Sequence, residues 1–351
     1  MSVYDKTLIN EGHRGEKRLS VVIPGYKTPD SIWRRCVESV LCNIGGEDEI
    51  ICVDDGSPVP STELDALACS DMRISVVKLH ENRGQAFARN KGMELAVGRY
   101  VAFVDSDDEV RLGTYSRAIE AIERDRADVV VYGVRVIWTK NGLCKEDVSD
   151  ERFIGKLDAL ELRRLYLECV FNYPWNKIYR KSFLQAFKLT FHEHCIPRED
   201  EIFNLDCVMA NASWTVISHV GQIYYRDDGT SLARYKRFNE ECNRTVSETW
   251  HRCKKFLENG NVVLGQIGEM TEQALLNSEW VNMWRMGSPF TLGKRVRWFF
   301  QHKEIGGVLT LIKTILRFVV RRFFYFRPIR RRHVKKMFNN VREVKVEDFH
   351  R

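Results

Sequence analysis

The sequence predicts an α/β fold with a Rossmann-like, doubly wound and mostly parallel sheet, followed by a helical C-terminal extension. Three observations predict it. Four short Val- and Ile-rich runs end at turn-forming or acidic residues, helical stretches separate them, and beyond about Tyr235 the strand-like runs give way to helical spacing.

The strand candidates are Leu19 to Ile23, Ile50 to Val53, Ile74 to Leu79 and Tyr100 to Val104. Each is short and apolar throughout or nearly so, the pattern of a strand buried on both faces. Helices are expected near Ser31 to Cys42, Thr62 to Cys69 and Gln85 to Val97, the last flanked by Gly84 and Gly98. The repeated strand–helix unit implies parallel neighbours, because a helical crossover returns the chain to the same edge. Domain limits are set at 1–235 for the α/β part and 236–351 for the helical region.

A chain of 351 residues, 44% apolar and 29% charged, is long enough for one large domain with an appendage. Ten cysteines are scattered without a CxxC pair, which favours a reducing compartment. No apolar segment precedes the first strand-like run, so a cleaved secretory signal is not expected and the α/β part is assigned to the cytoplasm. The net charge of +7 is unevenly spread: Lys294 to Lys336 holds fourteen Lys or Arg and one acid, Glu304, leaving −6 for the remainder. Such a local basic segment points to an anionic surface met by one end of the molecule, and no nucleic-acid partner is expected.

In doubly wound sheets ligands bind beyond the carboxyl ends of the strands. There the sequence has Pro24-Gly25-Tyr26-Lys27, then Asp54-Asp55-Gly56-Ser57, then Asp105-Ser106-Asp107-Asp108. Alone, either acidic stretch reads as a turn, and Asp105-Ser106-Asp107-Asp108 also reads as the cap of a helix over Arg111 to Ile122. Together they crowd carboxylates at one sheet edge, where burial is costly without a compensating cation. Mn²⁺ or Mg²⁺ suits oxygen ligands and a diphosphate, with Asp105 and Asp107 as the ligand pair.

The chain resembles glycosyltransferase family 2, with the GT-A fold, over roughly Leu19 to Tyr235. The resemblance rests on LSVVIPGYK (Leu19 to Lys27), IICVDDGS (Ile50 to Ser57), ENRGQAFARNKGMELAVGRYVAFVDSDDEV (Glu81 to Val110), YPWNKIYRKSFL (Tyr173 to Leu184), REDEIF (Arg198 to Phe203) and YYRDDGTSL (Tyr224 to Leu232), in that order. It implies an inverting enzyme that uses a nucleotide diphosphate sugar, by family tendency a UDP-sugar. Pro24 and Tyr26 would line the nucleotide pocket, Asp55 would accept hydrogen bonds from the base, Asp105 would contact the ribose and Asp107 the metal. Arg83 and Lys91 lie in the segment that commonly faces the nucleotide. Asp200 matches the general base, and Glu199 beside it would shape the acceptor site. By itself the Glu199-Asp200 pair reads as acidic charge at a helix N-terminus. The transfer would be a direct displacement, with the metal offsetting charge on the diphosphate and Asp200 taking the acceptor proton.

Other features carry weaker signals. His192, His194 and Cys195 lack zinc-site spacing, and Trp175-Asn176-Lys177 reads as a packing anchor. Neither GxGxxG nor a P-loop is present. Helical spacing recurs over Phe238 to Leu257 and Gly268 to Met286. From Arg295 to Phe326, Lys313, Arg317 and Arg321 share one helical face, opposite Leu309, Ile312, Leu316, Val319 and Phe323. A spanning helix needs about 20 mostly apolar residues, so this segment is expected to lie in the membrane interface, aided by Arg330, Arg331, Arg332, Lys335 and Lys336. The alternative is a solvated basic helix packed on the body or on a partner. The expected acceptor is a lipid-linked or cell-surface glycan, reached from the inner face of the membrane. A sugar nucleotidyltransferase, or a non-catalytic membrane scaffold of the same fold, is the rival reading. The former calls for a Gly- and Arg-rich loop where Pro24-Gly25-Tyr26-Lys27 stands.

Overall fold

A computed structural model of the protein describes residues 4–8, 17–138, 144–147, 154–157, 173–193 and 199–226. All of them fall within one compact unit, Met1–Thr271; the other unit, Glu272–Arg351, lies outside the described residues. The boundary expected at residue 235, the helical stretches beyond it and the basic segment 294–336 therefore also lie outside them.

The strands are β1 (Tyr4–Leu8), β2 (Leu19–Gly25), β3 (Asp48–Asp54), β4 (Ile74–Leu79), β5 (Tyr100–Phe103), β6 (Glu109–Val110), β7 (Val129–Trp138), β8 (Cys144–Asp147), β9 (Gly155–Lys156), β10 (Lys177–Arg180) and β11 (Trp214–Arg226). The helices are α1 (Asp30–Leu41), α2 (Thr62–Ser70), α3 (Gln85–Leu95), α4 (Thr114–Arg124), α5 (Lys181–Ala186) and α6 (Glu199–Met209). The sheet order is β1-β4-β3-β2-β5-β10-β7-β11-β6, with β8 on β7 and β9 on β11.

The four strands read from the sequence are β2, β3, β4 and β5, and they pair in parallel as β4-β3-β2-β5. Alternate residues face opposite layers. Val22, Ile51, Val53 and Val77 pack with α3 and α6, while Val21, Ile23, Ile50 and Cys52 pack under α1, α2 and α4.

The whole sheet is mixed, which corrects the expectation of a mostly parallel one. Among the described strands, β7 and β11 form the one further parallel pair, whereas β1, β6, β8, β9 and β10 all pair antiparallel. The short β10 slots between β5 and β7, antiparallel to both. The helix after Asp105-Ser106-Asp107-Asp108 starts at Thr114, not Arg111, and none of those acids caps it: its cap is Gly113, in the left-handed region at φ 81°.

From β2 the chain runs to β3 and β4 on one side and then returns to place β5 on the other. The reversal of strand order lies between β2 and β5, where such sheets open a ligand crevice.

Candidate active site

The turns that follow β2, β3 and β5 are tied to one another. Asp55 N–H donates to Gly25 O at 2.8 Å, Lys27 N–H to Ser57 Oγ at 2.8 Å, and Ser57 N–H to Asp54 Oδ1 at 3.1 Å. Thr28 Oγ1 and Ser106 Oγ lie 2.7 Å apart across the crevice. A side chain at Gly25 would collide with Trp33 at 2.3 Å and press on Ser106 Oγ at 2.9 Å, so the close approach of the two turns requires glycine there. Pro24 is the penultimate residue of β2, and Tyr26, 41% exposed, follows the strand directly.

Asp55 is buried, and its carboxylate organises the loop after β4. It accepts from Asn82 Nδ2 at 3.0 Å, Arg83 N–H at 2.9 Å and Gly84 N–H at 2.8 Å. Burial raises its pKa against the pull of those donors. Gly56, at φ 69°, lies under this loop, where a Cβ would sit 2.2 Å from the Glu81 carbonyl carbon.

Helix α3 begins directly after that loop and presents Gln85, Arg89 and Gly92 at i, i+4 and i+7. Gly92 lets it lie on Val22, 2.3 Å from where a Cβ would be. Gln85 Nε2 and Arg89 Nη2 each donate to Asp105 Oδ1 at 2.8 Å. The other Arg89 terminal nitrogen, Nη1, donates to Asp200 Oδ1 and lies 3.9 Å from Glu199 Oε1. One guanidinium thus joins the acidic turn after β5 to the first turn of α6. Arg89 is completely buried, its guanidinium packed over the Phe191 ring at 5.3 Å, and its Nε has no acceptor among the described residues. Despite the cost of burial, the surrounding carboxylates hold it firmly protonated.

Sequence reasoning missed Arg89. The available signal was its spacing: an arginine one turn after Gln85 and level with Gly92, between buried Ala86 and Ala88, has to meet acids inside the fold. The two cations singled out from the sequence are engaged elsewhere. Arg83 lays its guanidinium 3.7 Å from the Phe87 ring centroid, and Lys91 pairs with Glu94 at 3.0 Å.

The carboxylates differ in their surroundings. Asp108 is buried and accepts from Tyr225 N–H at 3.1 Å and Gln222 Nε2 at 3.3 Å, so it fastens β11 to the acidic turn. Asp107 is exposed, and Arg35 Nη2 donates to its backbone carbonyl at 2.5 Å. Desolvation by the crevice walls and the adjacent Asp105 charge push the Asp107 carboxyl up to about 6. Burial raises Asp200 to about 6 against the lowering pull of Arg89, and burial with the Asp200 charge raises Glu199 to about 8. Glu199 Oε2 is buried and finds no partner among the described residues.

These groups fit a divalent cation. Among the described residues no ion pair reaches the Asp107 carboxylate, although the Arg35 charge lowers its pKa, and a metal beside it would relieve the repulsion from Asp105. Among the described residues no three His, Cys, Asp or Glu side chains gather into a metal cage, so phosphate and water oxygens would complete the shell, as Mg²⁺ commonly requires. His192 Nε2 lies 2.7 Å from Asp206, while His194 and Cys195 are outside the described residues.

Comparison with known proteins agrees with this architecture. The family model described as glycosyl transferase family 2 matches residues 20–187. That match covers a little under half of the chain and takes in the strands and turns that frame the crevice. Over 217 residues it is 30% identical to the glycosyltransferase EpsJ of Bacillus subtilis, covering 61% of this chain and 62% of that protein. It is 29% identical over 227 residues to the succinoglycan biosynthesis protein ExoO of Rhizobium meliloti, covering 63% and 64% respectively. The matched stretch thus spans a little under two thirds of either relative. The crystal structure of TarS residues 1–349 from S. aureus, in complex with UDP-GlcNAc, superposes with a TM-score of 0.63 at 20% identity, covering 82% of this chain and 80% of that one. The two share the mixed α/β fold of the GT-A kind.

Proposed function

We propose that the protein is an inverting glycosyltransferase that moves a sugar from a UDP-sugar to a hydroxyl of a lipid-linked or cell-surface glycan. The observation that carries this reading is the guanidinium of Arg89, bonded at once to Asp105 and Asp200. It gathers a diphosphate-side acid and a base into one crevice at the strand-order reversal. The family 2 match supports the reaction class, the UDP-GlcNAc bound to TarS supports the donor, and the name of ExoO supports a role in polysaccharide synthesis.

In this reading Asp105 and Asp107 hold a divalent cation, which supplies charge stabilisation to the departing diphosphate when bound. Asp55, by fixing the 82–84 loop, holds the base-side wall where Pro24 and Tyr26 line the nucleotide. Arg83 belongs to that loop through its backbone, while its guanidinium lies over Phe87. The acceptor hydroxyl attacks the anomeric carbon from the face opposite the diphosphate, and its proton passes to the Asp200 carboxylate. Arg89 keeps that carboxylate ionised at neutral pH and fixes its orientation. Glu199, held neutral, shapes the acceptor side.

We place the enzyme in the cytoplasm, attached peripherally to the inner membrane face by its basic segment 294–336. Among the described residues no helix is long and apolar enough to cross a membrane. Transfer of radiolabelled sugar from UDP-GlcNAc, UDP-glucose and UDP-galactose to membrane glycans tests the reading. Wild-type protein should transfer from one of them in the presence of Mn²⁺, and Asp200→Asn should lose about 10²–10⁴-fold in rate while still binding UDP. Equal turnover by both proteins would remove Asp200 from its role.

A further inference from the structure

Tyr173, Trp175 and Tyr224 form a continuous stack of rings. Tyr173 and Trp175 centroids lie 4.7 Å apart and those of Trp175 and Tyr224 5.4 Å apart, each pair inclined by only 19°. Trp175 is sandwiched and 3% exposed, whereas Tyr173, at the outer end, is 44% exposed.

The stack is rigidly held. Lys177 Nζ donates to Tyr173 O at 2.5 Å, Tyr132 Oη to Trp175 O at 3.0 Å, and Asn176 Nδ2 to Tyr132 O at 3.1 Å. Each bond fixes the 173–177 backbone, so the rings are ordered before any ligand arrives.

Its position is bracketed by the two halves of the candidate active site. At the inner end, Tyr224 precedes Tyr225, whose N–H bonds Asp108. Burial first, and then the charges of Asp108, Asp105 and Asp107, push the Tyr224 phenol up to about 12. At the other end, Lys177 carries the Tyr173 carbonyl and lies close enough to Asp200 for the two charges to act on each other. The stack therefore runs from the strand bonded to the acidic turn, at Tyr224, to the Tyr173 backbone held by Lys177.

A pyranose presents one face of axial C–H groups, and the electron-rich face of an aromatic ring attracts those hydrogens through the same quadrupole that draws cations. Open-chain polyols have no such flat apolar face. We infer that the Tyr173–Trp175–Tyr224 stack is a saccharide platform, on which a pyranose ring of the acceptor lies against Tyr173 with a hydroxyl directed to Asp200. This inference rests on the glycosyltransferase reading above.

The test uses the full-length protein with saturating UDP and saturation-transfer NMR. The probes are methyl β-D-glucopyranoside and methyl β-D-galactopyranoside, with sorbitol as the acyclic control. At least one glycoside should receive saturation at its ring C–H protons, with sorbitol silent. Tyr173→Ala should weaken that binding about tenfold, and Tyr173→Phe, which keeps the ring, should stay within about twofold of wild type. UDP affinity, measured by calorimetry, should be the same in all three proteins. Equal glycoside binding by wild type and Tyr173→Ala would overturn the platform, as would equal saturation of sorbitol or no glycoside binding by a protein that binds UDP. Failure of wild-type protein to bind UDP would instead strike the donor reading, and this inference with it.

Discussion

Arg89 has no exposed surface, yet its charge is divided between two carboxylates from distant parts of the sequence. Removing one partner of a buried charged network leaves the others uncompensated, which costs about 3–5 kcal/mol. Arg89→Met should therefore lower stability by that order in chemical denaturation, and Arg89→Lys should not restore activity, because a point-like ammonium cannot span both acids. Asp200 acts as a base only when ionised, and burial has raised it to about 6. Transfer rate should accordingly fall as pH drops through about 6, read from the acid limb of the rate profile. Glu199 makes a second, opposite-signed demand. Its folded value of about 8 lies above its ordinary 4.5, so the stability it contributes is full below pH 4.5 and lost as pH rises through about 8. Glu199→Gln stays neutral, so wild type should lose ground to it in melting temperature between pH 5 and pH 8.5; a constant difference across that range would contradict the shift.

Helix α3 shows where element-level reading from sequence succeeds and where packing overrides it. Its start at Gln85 and the strand Ile74–Leu79 match the sequence expectation, and the ends of α1, α2, α3, β2, β3 and β5 fall within about two residues of it. Helix propensity alone says that Gly92→Ala would stabilise α3 by about 1 kcal/mol. The added Cβ, however, would meet Val22 Cγ1 at 2.3 Å, so the expected outcome is a loss of about 1–3 kcal/mol in denaturant unfolding. The later start of α4 is a similar case, since nothing in the residue order announced that Gly113 would take the left-handed cap. β10 was illegible because four residues, Lys-Ile-Tyr-Arg, become a strand only when β5 and β7 offer edges on both sides. Trp175, read as a packing anchor, does pack, but between Tyr173 of its own segment and Tyr224 of the distant β11.

The sheet and the basic segment set the expectations for the protein as a unit. Deleting residues 294–351 should release the protein from vesicles containing anionic lipid while UDP binding persists; unchanged co-sedimentation would argue for attachment elsewhere. The repeating strand–helix order, the acidic turns and the ordered motifs are local properties, because hydrophobic period and turn chemistry depend on neighbours in the chain. They were enough to predict the parallel half of the sheet and to nominate the carboxylates. Strand order, the antiparallel half, the bridge from Asp105 through Arg89 to Asp200, and the carboxyl pKa values depend on residues far apart in the chain coming together, 111 positions in the case of Arg89 and Asp200. Charge and burial there are set by what folding brings close, and residue spacing along a chain holds no record of it.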